Sequence, residues 1–402
     1  MIDDPREALL AVLPDGTPLE RRLAAARPEI ARVLAAAVSG ERIDTEQLLL
    51  LLDVSGADLT ALIATADQVR HTDVGDVVTY VVNRNVNFTN VCFVGCQFCA
   101  FKRQRWESDA YTHDNDAILA KIDEAIGRGA TEICMQGGIN PQMPATTYRD
   151  LLVAIRAAYP QLHIHAFSPM EILYGSRRMN MPFGPYLEML RDAGLGSIPG
   201  TAAEILDDDV REILSHKKVD TAAWVEIITT AHRLGIPSTS TLMYGHVETT
   251  AHIAAHLALL RRIQDETGGF TEFVPLRFIH DNTVLYRRGL VEPRPRGVAD
   301  LRLYAASRLF LRGSIDNLQT SWVKLGHELA AFSLQAGCND FGGTLMEESI
   351  SREAGADAGE YTSAEEIVAW SASVGRPARQ RTTLYADPRP RPSPAPELVA
   401  HA

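Results

Sequence analysis

From Gly75 onward, short apolar segments alternate with amphipathic ones, and that rhythm constrains the fold more than any other feature of the chain. Strand-like segments fall at 78–82, 131–135, 162–166, 195–198, 236–243, 271–276, 315–320 and 338–341. Between them, apolar residues recur at helical spacing. Ile118, Leu119, Ile122, Ala125 and Ile126 share one face of a stretch that opens at Asp116 and closes at Gly127 and Gly129. A second helix opens at Thr221 and runs through Trp224, Ile227 and Ile228; a third carries Leu257, Leu259, Leu260 and Ile263. A strand that hands over to a helix before the next strand favours parallel pairing, because a parallel connection needs a crossover long enough to hold that helix. The pattern therefore predicts an α/β fold, a (β/α)8-type parallel barrel.

Three parts follow along the chain. Residues 1–70 read as a helical N-terminal region, with apolar positions such as Leu9, Leu10, Ile30, Val33 and Leu34, and with Thr45 placed to cap a helix over Leu48–Leu52. Its expected work is to cover one end of the barrel, which occupies 71–385. The segment 386–402 is Pro-rich and is expected to be disordered. No internal repeat is visible.

Barrels of this kind place their chemistry at the carboxyl ends of the strands, and the polar clusters of this chain fall there. One is Cys92, Cys96 and Cys99, spaced C-x3-C-x2-C in NRNVNFTNVCFVGCQFCA after the first strand. Three closely spaced thiolates can each ligate one iron of a [4Fe–4S] cubane, and the fourth iron then lacks a local protein ligand. A structural zinc site needs four ligands, and no fourth Cys or His lies at the usual spacing. Five cysteines, an odd count without a secretion signal, disfavour a disulfide framework. Cys134 and Cys338 are isolated and read as packing residues.

The remaining clusters are Gln136-Gly137-Gly138, His165 through Ser168 to Glu171, Pro199-Gly200-Thr201 with Glu204, Tyr244-Gly245-His246, His280, Gln319–Trp322, and Asn339-Asp340. Histidine exchanges protons near neutral pH, so His165, His246 and His280 are catalytic candidates, together with Tyr244. Asn339 and Asp340 are candidate substrate contacts. A net charge of −12 argues against nucleic acid as a partner. No apolar run reaches membrane-span length, and MIDDPREALL lacks the order of a secretory signal, so the expected compartment is the cytoplasm.

The cysteine spacing resembles that of the radical S-adenosylmethionine (SAM) superfamily. The resemblance implies that SAM chelates the open iron through its amino and carboxylate groups and is cleaved to methionine and a 5′-deoxyadenosyl radical. It also implies that Phe98 packs near the adenine and that Gln136, Gly137 and Gly138 meet the SAM amino group. Ser168 and Glu204 are further cofactor candidates, Glu204 for the ribose hydroxyls by analogy with carboxylates that hold ribose elsewhere.

A narrower resemblance rests on NRNVNFTNVC, TEICMQGGIN, HIHAFSPMEI, IPGTAAEILDDDVR, STLMYGHVETT, GGFTEFVPL, QTSWVKLG, GTLMEESISR and GRPARQRTT, which span roughly 75–385. These are similar to the tyrosine-dependent half of FO synthase, the enzyme of coenzyme F420 biosynthesis. That family transfers the 4-hydroxybenzyl group of L-tyrosine to 5-amino-6-(D-ribitylamino)uracil and releases 2-iminoacetate. A single cysteine triad resembles the stand-alone subunit, which implies a partner radical SAM subunit and a reducing electron donor. Arg277 and Val284 stand where the family commonly has proline, and KRQRWE follows the cysteines in place of the usual run. Arg277 leaves open a paralogue with a different acceptor, in secondary metabolism or of the aminofutalosine synthase type. The cysteines by themselves would also suit a non-catalytic iron–sulfur protein.

Overall fold

The computed structural model describes residues 5–386; the expected disordered tail lies almost wholly outside them. Named strands are β1 (Val78–Val81), β2 (Asn83–Asn87), β3 (Glu132–Gln136), β4 (His163–Ala166), β5 (Ser238–Tyr244), β6 (Phe270–Arg277), β7 (Asp340–Gly343) and β8 (Ala378–Gln380). β1 and β2 are one barrel strand interrupted at Val82, whose carbonyl accepts from Thr131 N.

Every inter-strand connection around the ring is parallel. β2 pairs with β3 and β3 with β4; bridges His165–Ser197 and Ile198–Ser238 carry the ring through 197–198 to β5. β5 pairs with β6, bridges Phe273–Leu318 and Gln319–Asp340 lead through 318–319 to β7, and β7 returns to β1. Each of the eight expected strand positions is therefore a stave of the barrel, although 197–198 and 318–319 are held by bridges alone. The first stave is longer than expected, because polar β2 also pairs, with Asn85 opposite Cys134.

Local signals set the helices. Asp114 caps Asn115–Gly127 through its side chain, and Ile118, Ile122 and Ala125 face inward while Ile126 faces outward. Asp220 caps Thr221–Arg233. The helix Thr45–Leu51 is capped by Asp44 rather than by Thr45. Asp44 accepts from Gln47 N while Gln47 returns a bond to Asp44 N, a reciprocal box that the threonine cannot form from inside the helix.

The N-terminal helices pack on the outer barrel helices Thr250–Thr267 and Val298–Leu311. Arg261 and Arg302 donate to the carbonyls of Ile43 and Val54, and Arg312 pairs with Asp73 at 2.7 Å. The helix Gly56–Val74 is buried through Leu59, Leu62, Ile63, Ala66 and Val69. Among the described residues no single helix is long and apolar enough to cross a membrane; one bent pair passes by length and composition, its second helix being this buried one.

The barrel end away from the cysteines is closed by the C-terminal segment. β8 pairs with the start of β1, and the chain beyond it turns inward. Arg381 ion-pairs with Glu272 at 3.1 Å and with Asp340, while Thr383 Oγ1 donates to Glu132 at 2.6 Å. Charges buried this deeply persist only when paired, and here each has a partner.

Candidate active site

Above that polar floor lies a cavity of about 410 Å³ lined by the inward faces of the staves and by the loops that follow them. The pleat of β2 turns alternate residues inward, so Asn83, Asn85 and Asn87 form a stripe down one wall. Their amide orientation is fixed by chemistry. Asn85 Nδ2 donates to the Glu348 carboxylate and Asn87 Nδ2 to the Gln136 carbonyl at 3.1 Å, groups that can only accept. The Oδ1 atoms of Asn85 and Asn87 are left buried without a partner among the described residues.

The cysteine loop closes the mouth. Gly138 N donates to the Thr89 carbonyl at 2.8 Å and Phe93 N to the Ile139 carbonyl at 3.2 Å, which fastens the loop to the end of β3. Cys92, Cys96 and Cys99 all line the cavity. Ser215 Oγ donates to Cys96 Sγ at 3.0 Å, and burial pushes the Cys96 thiol up to about 11 and raises that of Cys99. Among the described residues no three His, Cys, Asp or Glu side chains converge as ligands of one ion. A cubane places each thiolate on a different iron, so it asks for a wider triad than a single ion does.

The Gly137-Gly138 turn abuts this loop. A Cβ on Gly138 would overlap the Val91 carbonyl oxygen, and one on Gly137 would stand 2.5 Å from the Phe88 ring. The glycines are thus required by the protein's own packing, before any ligand approaches. Gly137 N donates to Glu171 at 3.0 Å, which commits both amides of the turn, whereas the Gly137 and Gly138 carbonyls accept no bond from the described residues. Two free acceptors beside three thiols suit a cluster whose open iron carries an amino-acid ligand. Ser168 lines the cavity but spends its hydroxyl on Glu171 at 2.7 Å; burial raises the Glu171 carboxyl to about 7 against these hydrogen bonds.

Glu204 is neither solvated nor helical. It sits in a left-handed bend, φ 42°, on the cavity wall, where Lys218 pairs with it at 2.6 Å. The Lys218 ammonium in turn lies 4.9 Å from the centroid of the Phe98 ring, a cation–π contact. Arg211 clamps the bend by donating to the carbonyls of Ala202, Ala203 and Ile205.

The catalytic candidates separate. His165 lines the cavity with Nδ1 2.7 Å from Ser197 Oγ, and burial drives it down to about 4, so it is neutral at physiological pH. The side chains of Tyr244, His246 and His280 do not line the cavity. Tyr244 donates to Asp300 at 2.8 Å, His246 Nε2 lies 2.9 Å from the Met243 carbonyl, and the His280 ring packs at a tilt against Tyr286, its centroid 4.9 Å away. Asn339 accepts from Arg308 and Leu318 N, and Asp340 belongs to the floor cluster with Arg381. Residues that sequence reasoning missed include Asn85, Glu132, Lys218, Glu272, Lys324, Glu348, Arg381 and Thr383, all on the cavity wall.

Residues 86–260 match the radical SAM superfamily model, and 267–392 match the model of the CofH/MqnC C-terminal region. The 5-amino-6-(D-ribitylamino)uracil–L-tyrosine 4-hydroxyphenyl transferase of Methanothermobacter thermautotrophicus is 50% identical over 345 residues, which cover 86% of this chain and 94% of that protein. The chain belongs to the FO synthase family of radical SAM enzymes. The FO synthase of Nocardia farcinica is also 50% identical over 366 residues, 90% of this chain, but the match spans only 42% of that longer protein. Solved structures share the fold alone. Methylornithine synthase aligns with a TM-score of 0.66 at 16% identity over 86% of this chain and 97% of its own. The hydrogenase maturase HydG from Carboxydothermus hydrogenoformans aligns with 0.69 at 15% identity over 95% and 86%.

Membership brings a [4Fe–4S] cluster and SAM, and the residues present fit both: Cys92, Cys96 and Cys99 for the cluster, and the free carbonyls of the glycine turn for the SAM amino group.

Proposed function

We propose that this chain transfers the 4-hydroxybenzyl group of L-tyrosine to 5-amino-6-(D-ribitylamino)uracil, with release of 2-iminoacetate, in FO and coenzyme F420 biosynthesis. The observation that carries this reading is the near end-to-end match to the transferase of that name. When bound, the cluster and SAM supply the 5′-deoxyadenosyl radical that starts cleavage of the tyrosine Cα–Cβ bond.

The chain's own residues then have three tasks. Val274, Leu276, Phe278, Ile279 and Val323 line an apolar wall that keeps water from a reactive benzyl fragment. At the closed end, Glu132, Glu272 and Gln319 present carboxylate and amide groups suited to the hydroxyls of a ribityl chain. The unpartnered Oδ1 atoms of Asn85 and Asn87 accept from N–H donors, which the diaminouracil carries and an apolar acceptor would lack.

A partner radical SAM activity would complete ring closure; the chain spans about two-fifths of the length of the FO synthases it matches. A cytoplasmic setting with a low-potential electron donor suits the thiols and the cluster. The test is anaerobic turnover of the reconstituted enzyme with both substrates, read by mass spectrometry. The adduct should form only when tyrosine, the uracil and SAM are all present.

A further inference from the structure

Five cationic side chains line the cavity, and their partners differ. Lys218 is committed to Glu204, Arg277 to Asp300 and Arg381 to Glu272 and Asp340. Lys102 belongs to the cysteine loop itself. Lys324 stands apart. It projects from the short helix Trp322–Leu325 after stave 318–319, is half-buried, and has no hydrogen-bond or ion-pair partner among the described residues. Burial lowers its pKa, with Glu348 and Cys99 opposing that shift electrostatically.

Glu348 lines the same cavity after β7. Its Oε1 accepts from Ser351 N at 3.0 Å and from Ser351 Oγ at 2.6 Å, and its Oε2 accepts from Asn85 Nδ2. Three bonds leave a carboxylate about one further lone-pair position. Lys324 and Glu348 thus line one cavity without closing into an ion pair. An unpaired cation and a carboxylate with spare capacity in one cavity are complementary to a zwitterion, whose carboxylate and ammonium share one carbon.

We infer that Lys324 and Glu348 seat the α-amino acid substrate, Lys324 binding its carboxylate and Glu348 its ammonium. This deepens the proposed function and rests on tyrosine being the radical donor. SAM also carries a zwitterion, but the superfamily arrangement commits its amino and carboxylate groups to the open iron. The fixed end of tyrosine would then lie beside Asn85, whose Nδ2 donates to Glu348.

The experiment measures binding of radiolabelled tyrosine to the reconstituted holoenzyme with SAM, and kcat/KM for tyrosine against tyramine, which lacks the carboxylate. Wild type should favour tyrosine; Lys324→Met should weaken tyrosine binding and erase that preference by about 10- to 100-fold, the worth of a charge-assisted contact. Lys324→Arg should restore part of it, and Glu348→Gln should weaken tyrosine while sparing 3-(4-hydroxyphenyl)propionate, which lacks the amine. SAM affinity should stay within about twofold in each, because neither residue is assigned to it. Tyrosine binding and preference unchanged in Lys324→Met would overturn the inference, as would a loss of SAM affinity in place of tyrosine affinity. If wild type binds no tyrosine, the proposed function falls with it; if wild type binds and Lys324→Met binds equally, only this inference falls.

Discussion

Arg277 donates to Asp300 at 2.6 Å, and both side chains are buried, 9% and 1% exposed. The same guanidinium donates to the Arg294 carbonyl, and Asp300 also accepts from Tyr244 Oη and Gly297 N. Arg277 ties the end of β6 to the start of the helix Val298–Leu311. Its charge is spent inside the protein, so this departure from the family pattern gives no reason to expect a different acceptor.

Removing one member of a buried pair leaves its partner uncompensated. Arg277→Met should therefore lower stability by about 3 kcal/mol, seen as a reduced urea midpoint, while the surviving folded enzyme keeps its acceptor. A changed product in that variant would place Arg277 in the acceptor site after all.

The glycine turn makes a second prediction. Gly138→Ala drives a Cβ into the Val91 carbonyl, next to Cys92. Iron loading and SAM binding should fall together in this variant, measured by metal analysis and equilibrium dialysis. Normal iron with weakened SAM would mean that the turn contacts the ligand without supporting the cysteine loop.

Much of the architecture was legible in the chain. Short apolar runs and helical spacing located all eight staves, because burial in a barrel leaves a mark in each segment. The cysteine triad and the glycine turn stand out as local patterns, and both line the cavity. The floor was not: Arg381 meets Glu272 across 109 positions and Thr383 meets Glu132 across 251, and no local pattern encodes such a meeting. The alternation Asn83, Asn85, Asn87 was a visible signal, but polar residues after an apolar run read as a loop. Tyr244 and His246 sit at a stave end as expected, yet point into packing, a difference of side-chain direction that strand position does not determine.

Buried histidine should make the fold acid-sensitive. His256 accepts from Leu206 N through Nδ1 at 3.0 Å and reaches the Thr241 carbonyl through Nε2 at 2.9 Å, which fixes a neutral tautomer; burial lowers its pKa to about 4. The folded value lies below the unfolded one, so the unfolded chain binds the extra proton. Stability is fully present above about pH 6.5 and is lost as pH falls toward 4, by roughly 1.4 kcal/mol per pH unit for this group. His256→Gln should flatten the dependence of the urea midpoint on pH by that amount. An unchanged slope would contradict the assignment.

Cys92→Ala, Cys96→Ala and Cys99→Ala should each abolish iron–sulfur absorbance and formation of 5′-deoxyadenosine, since a cubane held by two thiolates is not retained. Normal SAM cleavage in all three would remove the basis of the site.

The proposed reaction breaks the tyrosine Cα–Cβ bond and captures the benzyl fragment on the ribityl diaminouracil. Anaerobic turnover with tyrosine carrying ¹³C at Cβ tests it most directly. The label should appear in the uracil adduct, and glyoxylate formed from 2-iminoacetate should remain unlabelled. Cleavage of SAM with no labelled adduct, or labelled glyoxylate, would contradict it.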